Sequence, residues 1–397
     1  MTSEFLTLVV NPGSSSRKYA LYADGKKRAN IHFEFEDENV IGKIEYNGEK
    51  YVKTYGDSDL SEVSRYVLPL LHEYKVIADN ETLSVIGIRV VAPSKRFAQD
   101  ILVTNESEAD LEFVQQRAPL HVKTALAEIK QLKNFFPGIS IIIVSDSAFH
   151  STKPEWAWHY GIDTEIAEKF DIKRYGFHGV SVGSVVRNLS KSGALKQKTI
   201  ICHLGSGSSV TAVENGKSVE TTMGYTPLEG LMMASRCGNI DPSAVVAIKR
   251  ELHLSDDDLE EYLNKQCGLL GVSGSSNDVR QLLASEEQGD GRAKLALKML
   301  VYRIQQAIGQ MAASMGGVDQ LVFTATIGER SAPIRERVLE NLGYLGFEFD
   351  KAVNDKTFEP KEAANIAIDS SKPILVVSTD ESSEIARRAE QYIKQQI

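Results

Sequence analysis

Apolar positions along the chain fall into short continuous runs separated by Gly-, Ser- and Pro-containing turns, with helical stretches between them. Residues 5–10 form an apolar, β-branched run, NPGSSSRK interrupts it, and 19–23 resume it before Asp24-Gly25. Asp-Gly, and Asn47-Gly48 after the run 44–46, are two-residue hairpin signals. From about residue 58 the period lengthens, and Leu60, Val63, Val67, Leu70 and Leu71 share one helical face. A strand is expected over 83–91, a helix over 125–132 and, past Pro137-Gly138, a strand over 139–144. The second half starts the theme again: a strand over 199–203, the turn LGSGSSV, a strand over 210–213, then Asn215-Gly216. Helices are expected over 292–315, 333–341 and 381–395, and strands over 321–324 and 374–377. LVVNPGSSSRKYALYADGK and IICHLGSGSSVTAVENGK thus follow one plan, strand, Gly/Ser turn, strand, tight turn, beginning near residues 8 and 200. A period of half the chain means duplicated domains rather than a solenoid. Apolar strands alternating with helices predict α/β sheets covered on both faces.

Composition narrows the class. A chain of 397 residues accommodates two large domains, and 42% hydrophobic against 25% charged residues suits a full core. Lys and Arg number 45 against 54 Asp and Glu, a net charge of −9. With no long basic run, this argues against a nucleic-acid or acidic-membrane surface. No apolar stretch reaches the ~20 residues of a membrane span. The opening MTSEFLTLVVN has an acidic residue and no basic segment, so it does not read as a signal peptide. Cys202, Cys237 and Cys267 lack metal-type spacing. The expectation is a cytoplasmic protein with reduced thiols.

Candidate chemistry begins with the two Gly/Ser turns, where glycine lets backbone N–H groups approach a phosphate and serine adds donors. Arg89 sits in an otherwise apolar run, IGIRVV, and Arg236 in GLMMASRCGNIDP, where acids are sparse. A charge in such a setting needs a partner or an anionic ligand. His178 in KRYGFHGVS, His121 in APLH and His150 in SDSAFH follow apolar residues, a placement that core histidines share. Asp146 and Glu381 each stand just past a strand, where open α/β sheets place ligands. A helix start accounts for Thr379 and Asp380 and accounts less well for Glu381. Met223, Met232 and Met233 read as core. A dinucleotide fingerprint, a Walker loop and zinc spacing are all missing from the sequence.

Taken in order, these segments resemble the acetate kinase family. The likeness runs from NPGSSSRK at 11–18 through RVV, APLH, DSAFH, RYGFHG and HLGSG to STDE at 378–381. MGYTPLEGLMMASRCGNIDP, GLLGVSGSS and FTATIGE lie between them. The resemblance implies two actin-like, ribonuclease H-like α/β domains around a cleft, 1–147 with 383–397 and 148–382. The second would be the nucleotide side and hold a homodimer interface. It implies Mg²⁺- or Mn²⁺-dependent phosphoryl transfer between ATP and the carboxylate of acetate. Arg89 and Arg236 correspond to the pair that holds the carboxylate and the transferring phosphoryl group, and His178 to its transition-state donor. Asp146 and Glu381 correspond to the acids that organise the metal, with Asn11 nearby. Val91, Leu120, Phe177 and Pro227 fall where the family builds its acyl pocket. Ser14, Ser16 and Lys18 fall on the first phosphate turn and His203, Gly205, Ser206 and Gly207 on the second. Asp278, Arg280, Thr326, Gly328 and Arg330 fall near the nucleotide.

The sequence also departs from the family pattern. HRVVHGG reads IRVVAPS, so Ile88 and Ala92-Pro93-Ser94 border the acyl pocket; APLHNP continues instead into Val122-Lys123. HLGNG becomes HLGSG at Ser206, GDIDP becomes GNIDP at Asn239, and GIGEN becomes TIGER at Thr326 and Arg330. The competing readings are a propionate or butyrate kinase, a pyrophosphate-dependent enzyme, and a non-catalytic regulator on the same scaffold.

Overall fold

A computed structural model describes residues 4–13, 16–36, 38–56, 59–116 and 119–396, without the side chains of 119–121. Contacts divide the chain into two compact units, 1–148 with 380–397 and 149–379. The second boundary falls three residues before the expected 382 because Asp380 caps helix Glu381–Lys394, whose contacts are with the first unit's sheet.

The first unit is built on eight strands, β1 (Leu6–Pro12), β2 (Ser16–Ala23), β3 (Lys26–Glu36), β4 (Asn39–Tyr46), β5 (Glu49–Thr54), β6 (Val85–Val90), β7 (Ile101–Leu102) and β8 (Ile141–Ser145). Their order is β5-β4-β3-β2-β1-β6-β8-β7. The first five form an antiparallel meander, and β1, β6 and β8 run parallel, with Val9 beside Gly87 and Arg89 beside Val144. Asp24-Gly25 and Asn47-Gly48 hold positive φ at both residues, the turn whose twist matches a hairpin. Alternation along β1 sends Leu6, Leu8 and Val10 into a core with Ile129 and Leu132 of helix Pro119–Phe135. Thr7 points the other way and donates to Glu390 on helix Glu381–Lys394. That helix packs so closely that a Cβ at Gly87 would lie 2.9 Å from the Ala389 Cβ, which is why a glycine interrupts the β6 run.

The second unit repeats the plan with β9 (Lys198–Leu204), β10 (Ser208–Glu214), β11 (Lys217–Thr221), β12 (Gln320–Thr324), β13 (Ala364–Asn365) and β14 (Ile374–Val376), in the order β11-β10-β9-β12-β14-β13. Ile200, Cys202 and Leu204 pack with Leu297, Ile304 and Ile308 of helix Gly291–Ser314. Ile201 points to the opposite face, with Val182, Val185 and Leu189 of helix Gly179–Lys191. The arrangements β3-β2-β1-β6-β8 and β11-β10-β9-β12-β14 are the same five-strand pattern, three antiparallel strands followed by two parallel ones. The α/β duplication anticipated from two hairpins is therefore present in both sheets.

Candidate active site

In the first unit, four polar side chains converge at the ends of the parallel strands. Arg89 on β6 meets the buried Asp146 through two parallel bonds, Nε to Oδ1 at 3.0 Å and Nη2 to Oδ2 at 2.8 Å. The Asp146 backbone N–H is anchored on the Val90 carbonyl at 3.0 Å, which fixes the carboxylate just past β8. Arg89 Nη1 turns toward Asn11 Oδ1 at 3.5 Å and Glu381 Oε2 at 3.6 Å. Asn11 Nδ2 donates to that same Glu381 oxygen at 3.0 Å. Asp380 caps helix Glu381–Lys394 by accepting from the Ser383 N–H, which leaves the Glu381 carboxylate to Asn11 and Arg89. Burial weakens the Arg89 guanidinium, and the carboxylates of Asp146 and Glu381 overcome this to hold its proton more tightly than usual. Among the described residues no group of three or more His, Cys, Asp or Glu forms a metal cluster. Two carboxylates and an amide oxygen are nonetheless the hard donors that Mg²⁺ takes alongside substrate phosphates.

In the second unit the hairpin between β9 and β10 gathers a different set. The turn closes on itself, Gly205 N–H to the Gly207 carbonyl at 3.1 Å, and Ala234 N–H binds the Ser206 carbonyl at 3.2 Å. A Cβ placed on Gly207 would lie 3.2 Å from His178 Nε2 and 3.4 Å from Arg236 Nη1. The absence of that atom leaves one small space bordered by an imidazole and a guanidinium. Arg236 Nη1 also reaches the Pro227 carbonyl at 3.4 Å and Met233 Sδ at 3.8 Å. His178 stacks on His203 with ring centres 4.0 Å apart. The arrangement offers donors and positive charge to an anion.

The remaining expected residues are placed as follows. Phe177 and Pro227 are buried in the second unit and Val91 is half-buried in the first. Leu120's side chain and all of Ser14 lie outside the described residues. The Ser16 carbonyl closes the first turn by accepting from Gly13 N–H at 2.9 Å, and Lys18 is exposed, opposite Asn11 in the β1–β2 ladder. Asp278 caps helix Val279–Glu287 through Arg280 N–H at 2.8 Å and pairs with the Arg280 side chain. That capping role is sufficient local reason for an acid at Asp278. Gly328 gives room for Phe323, whose backbone carbon would stand 3.4 Å from an added Cβ. Arg330 pairs with Glu359 and lies over the Phe358 ring. Thr326 is exposed, and the left-handed residue of that turn is its neighbour Ala325, at φ +65°.

Other residues surround these groups, some unread in the sequence and some placed differently from what it suggested. Thr379 does not cap a helix: its hydroxyl donates to Ser181 at 2.9 Å, and Ser181 meets His203 Nδ1 at 2.8 Å. Ser209 meets His178 Nδ1 at 2.9 Å. The buried Glu329 carboxylate accepts from Ala325 N–H and Thr379 N–H at 2.9 and 3.1 Å, tying together the turns after β12 and β14. Asn239, where the family has Asp, accepts from Gly230 N–H at 2.8 Å, a bond either side chain makes. Arg17, buried, faces Glu128 at 3.5 Å, and Tyr19 donates to that carboxylate at 2.6 Å. His150 is a core residue, bonded to Ser218 and to the Phe177 carbonyl, and the three methionines are buried.

Comparison with known proteins agrees with this geometry. The profile of the acetokinase family matches residues 6–387. The chain is 39% identical over 388 residues to an acetate kinase of Clostridium botulinum, covering 96% of this chain and 97% of that one. It is 40% identical over 386 residues to an acetate kinase of Bacillus cytotoxicus, with 96% and 97% covered. Among solved structures, Porphyromonas gingivalis acetate kinase aligns with a TM-score of 0.86 at 34% identity, over 98% of this chain and 100% of that chain. A propionate kinase from Francisella tularensis aligns with a TM-score of 0.89 at 33% identity, over 98% and 99%. The chain belongs to the acetokinase family and is a phosphotransferase.

Proposed function

We propose that the protein transfers the γ-phosphoryl group of ATP to the carboxylate of acetate, giving acetyl phosphate and ADP, and catalyses the reverse reaction. The observation that carries this reading is the meeting of His178 Nε2 and Arg236 Nη1 at the Gly207 backbone, on a hairpin of the kind that cradles phosphate. A carboxylate oxygen attacks phosphorus, the bond to the ADP oxygen breaks, and negative charge spreads over three equatorial oxygens. Arg236 neutralises that charge, His178 donates a hydrogen bond to it, and Arg89 holds the acceptor carboxylate beside Asn11. Asp146 and Glu381 would hold Mg²⁺ or Mn²⁺ by oxygen donors, and the ion would offset the charge of the donor's phosphates. Asp146 also fixes the Arg89 plane, so the cation is presented in one orientation.

Propionate is the second acceptor to consider. The solved propionate kinase is as similar in fold as the acetate kinase, and Ala92-Pro93-Ser94 replaces the family's HGG beside Val91. We further propose a homodimer formed through the second unit. Helix Pro242–Glu251 buries none of its residues, although Val245, Val246 and Ile248 are apolar; Val246 is 46% and the following Leu252 53% exposed. A cytoplasmic location fits such an enzyme, and among the described residues no helix is long and apolar enough to cross a membrane. The test is a matrix of ATP, GTP and pyrophosphate against acetate, propionate and butyrate, trapping acyl phosphate with hydroxylamine. ATP with acetate is expected to lead. No hydroxamate with any pair would remove the enzyme reading, and a lead for propionate would reassign the acceptor.

A further inference from the structure

His178 stands in an uncommon backbone conformation within an ordered polar setting. It holds φ +61° at the start of helix Gly179–Lys191, where non-glycine residues seldom sit and where outliers cluster at functional sites. Its Nδ1 lies 2.9 Å from the hydroxyl of Ser209 on β10, and both residues are buried. Among the described residues that hydroxyl has no other hydrogen-bond partner. A hydroxyl shut away from water must still place its one proton, and leaving it unbonded costs the donor's full desolvation. The proton therefore goes to Nδ1, which receives it on a lone pair. A ring whose Nδ1 carries no proton carries one on Nε2.

The neighbouring histidine follows the same rule. Thr379 donates to Ser181, which leaves the Ser181 proton for His203 Nδ1. Both stacked rings, with centres 4.0 Å apart, thus accept at Nδ1. His178 Nε2–H then borders the space that Gly207 leaves.

We propose that Ser209 is a positioning residue for phosphoryl transfer: its hydroxyl holds His178 as the neutral Nε2–H tautomer. The ring then meets the phosphoryl oxygens as a hydrogen-bond donor without first gaining a proton. Ser209 touches no substrate in this account and acts through the ring. The inference rests on the role given to His178 in the proposed reaction, but the tautomer is measurable without turnover.

The experiment is ring-¹⁵N histidine NMR on the full chain at mildly alkaline pH, with His178 assigned by the signals lost in His178→Gln. Wild type is expected to show a protonated Nε2 and a bare Nδ1. Ser209→Ala should mix the tautomers and lower kcat by about tenfold or more, with both KM values within about threefold. Ser209→Thr keeps the hydroxyl and should keep both tautomer and kcat. A protonated Nδ1 in wild type overturns the proposal, as does wild-type kcat in Ser209→Ala or failure of the threonine to preserve kcat. If Ser209→Ala does not fold, the wild-type tautomer and the threonine variant decide. Absence of turnover in wild type with any donor would count against the kinase reading alone, because the tautomer result stands apart from it.

Discussion

The two arginines make the most informative comparison in the molecule, one in each unit. Arg89 projects from a strand and locks two bonds onto a fully buried carboxylate, with a second carboxylate 3.6 Å away. Arg236 projects from a loop, and its Nη1 rests on a carbonyl and a thioether beside the Gly207 backbone. In the sequence both are a cation in an apolar, acid-poor stretch. In the structure one grips a buried carboxylate and the other borders a phosphate-type turn. Residue type alone therefore overstates how alike the two candidate arginines are, since their surroundings differ.

Substitution tests both. Arg89→Ala and Arg236→Ala should each reduce kcat/KM by at least ~100-fold, the usual scale for losing a preorganised electrostatic donor. Arg89→Ala should also destabilise the fold, by about 2–4 kcal/mol. Breaking a buried pair costs about 3–5 kcal/mol, and the Arg89 side chain is 19% exposed. Urea unfolding of Arg89→Ala checks this, and wild-type stability would contradict it.

Gly207→Ala sharpens the Arg236 side. Its Cβ would crowd His178 Nε2 and Arg236 Nη1 together, so kcat should fall about tenfold while the melting temperature stays within a few degrees. Steady-state kinetics beside a thermal melt would show it. Unchanged kcat would mean the two groups do not share that space during turnover.

A smaller effect tests how the second unit tolerates buried charge away from the site. Burial pushes the Lys153 ammonium down to about 8, with Glu220 opposing and Arg174 adding to the shift. An unfolded lysine titrates near ~10.4. Between about pH 8 and 10.4 the unfolded chain therefore binds a proton that the folded chain lacks. Stability should rise with pH in that window, by up to ~1.4 kcal/mol per unit, and the term should be flat below it. Subtracting the Lys153→Met profile from wild type isolates this slope, and a difference that falls with pH would contradict it. Smallest of all, Ala325→Gly should add up to about 1 kcal/mol by relieving a left-handed alanine, less the entropy glycine gains when unfolded.

What the sequence made legible follows the range of the interactions. In each half the first two strands with their Gly/Ser turn, and the later apolar strands, were readable because such runs and turns are local, whereas the strand order was not. The extension of the first sheet through β3–β5 was only partly readable, since strands such as Glu49–Thr54 bury nothing fully. Helix Pro242–Glu251 escaped notice for a related reason, having no buried residue to set a periodic stripe. Arg89, Asp146, Asn11 and Glu381 were each singled out, but their mutual bonding spans up to 370 positions and has no sequence signature. Thr379 was assigned to a cap because Asp380 beside it does cap a helix; its bond to Ser181 lies 198 positions away. Ser209 sits in a strand, where serine carries no message until the ring opposite it is known.

The proposed reaction is transfer of a phosphoryl group to a carboxylate oxygen. The direct measurement is ³¹P NMR of the products formed from ATP and acetate labelled with ¹⁸O in both carboxylate oxygens. If the carboxylate attacks the γ-phosphorus, the acetyl phosphate resonance carries the isotope shift of one bridging ¹⁸O, and the phosphates of ADP carry none. Label appearing in acetyl adenylate, with pyrophosphate released, would mean attack at the α-phosphorus and would contradict the assignment.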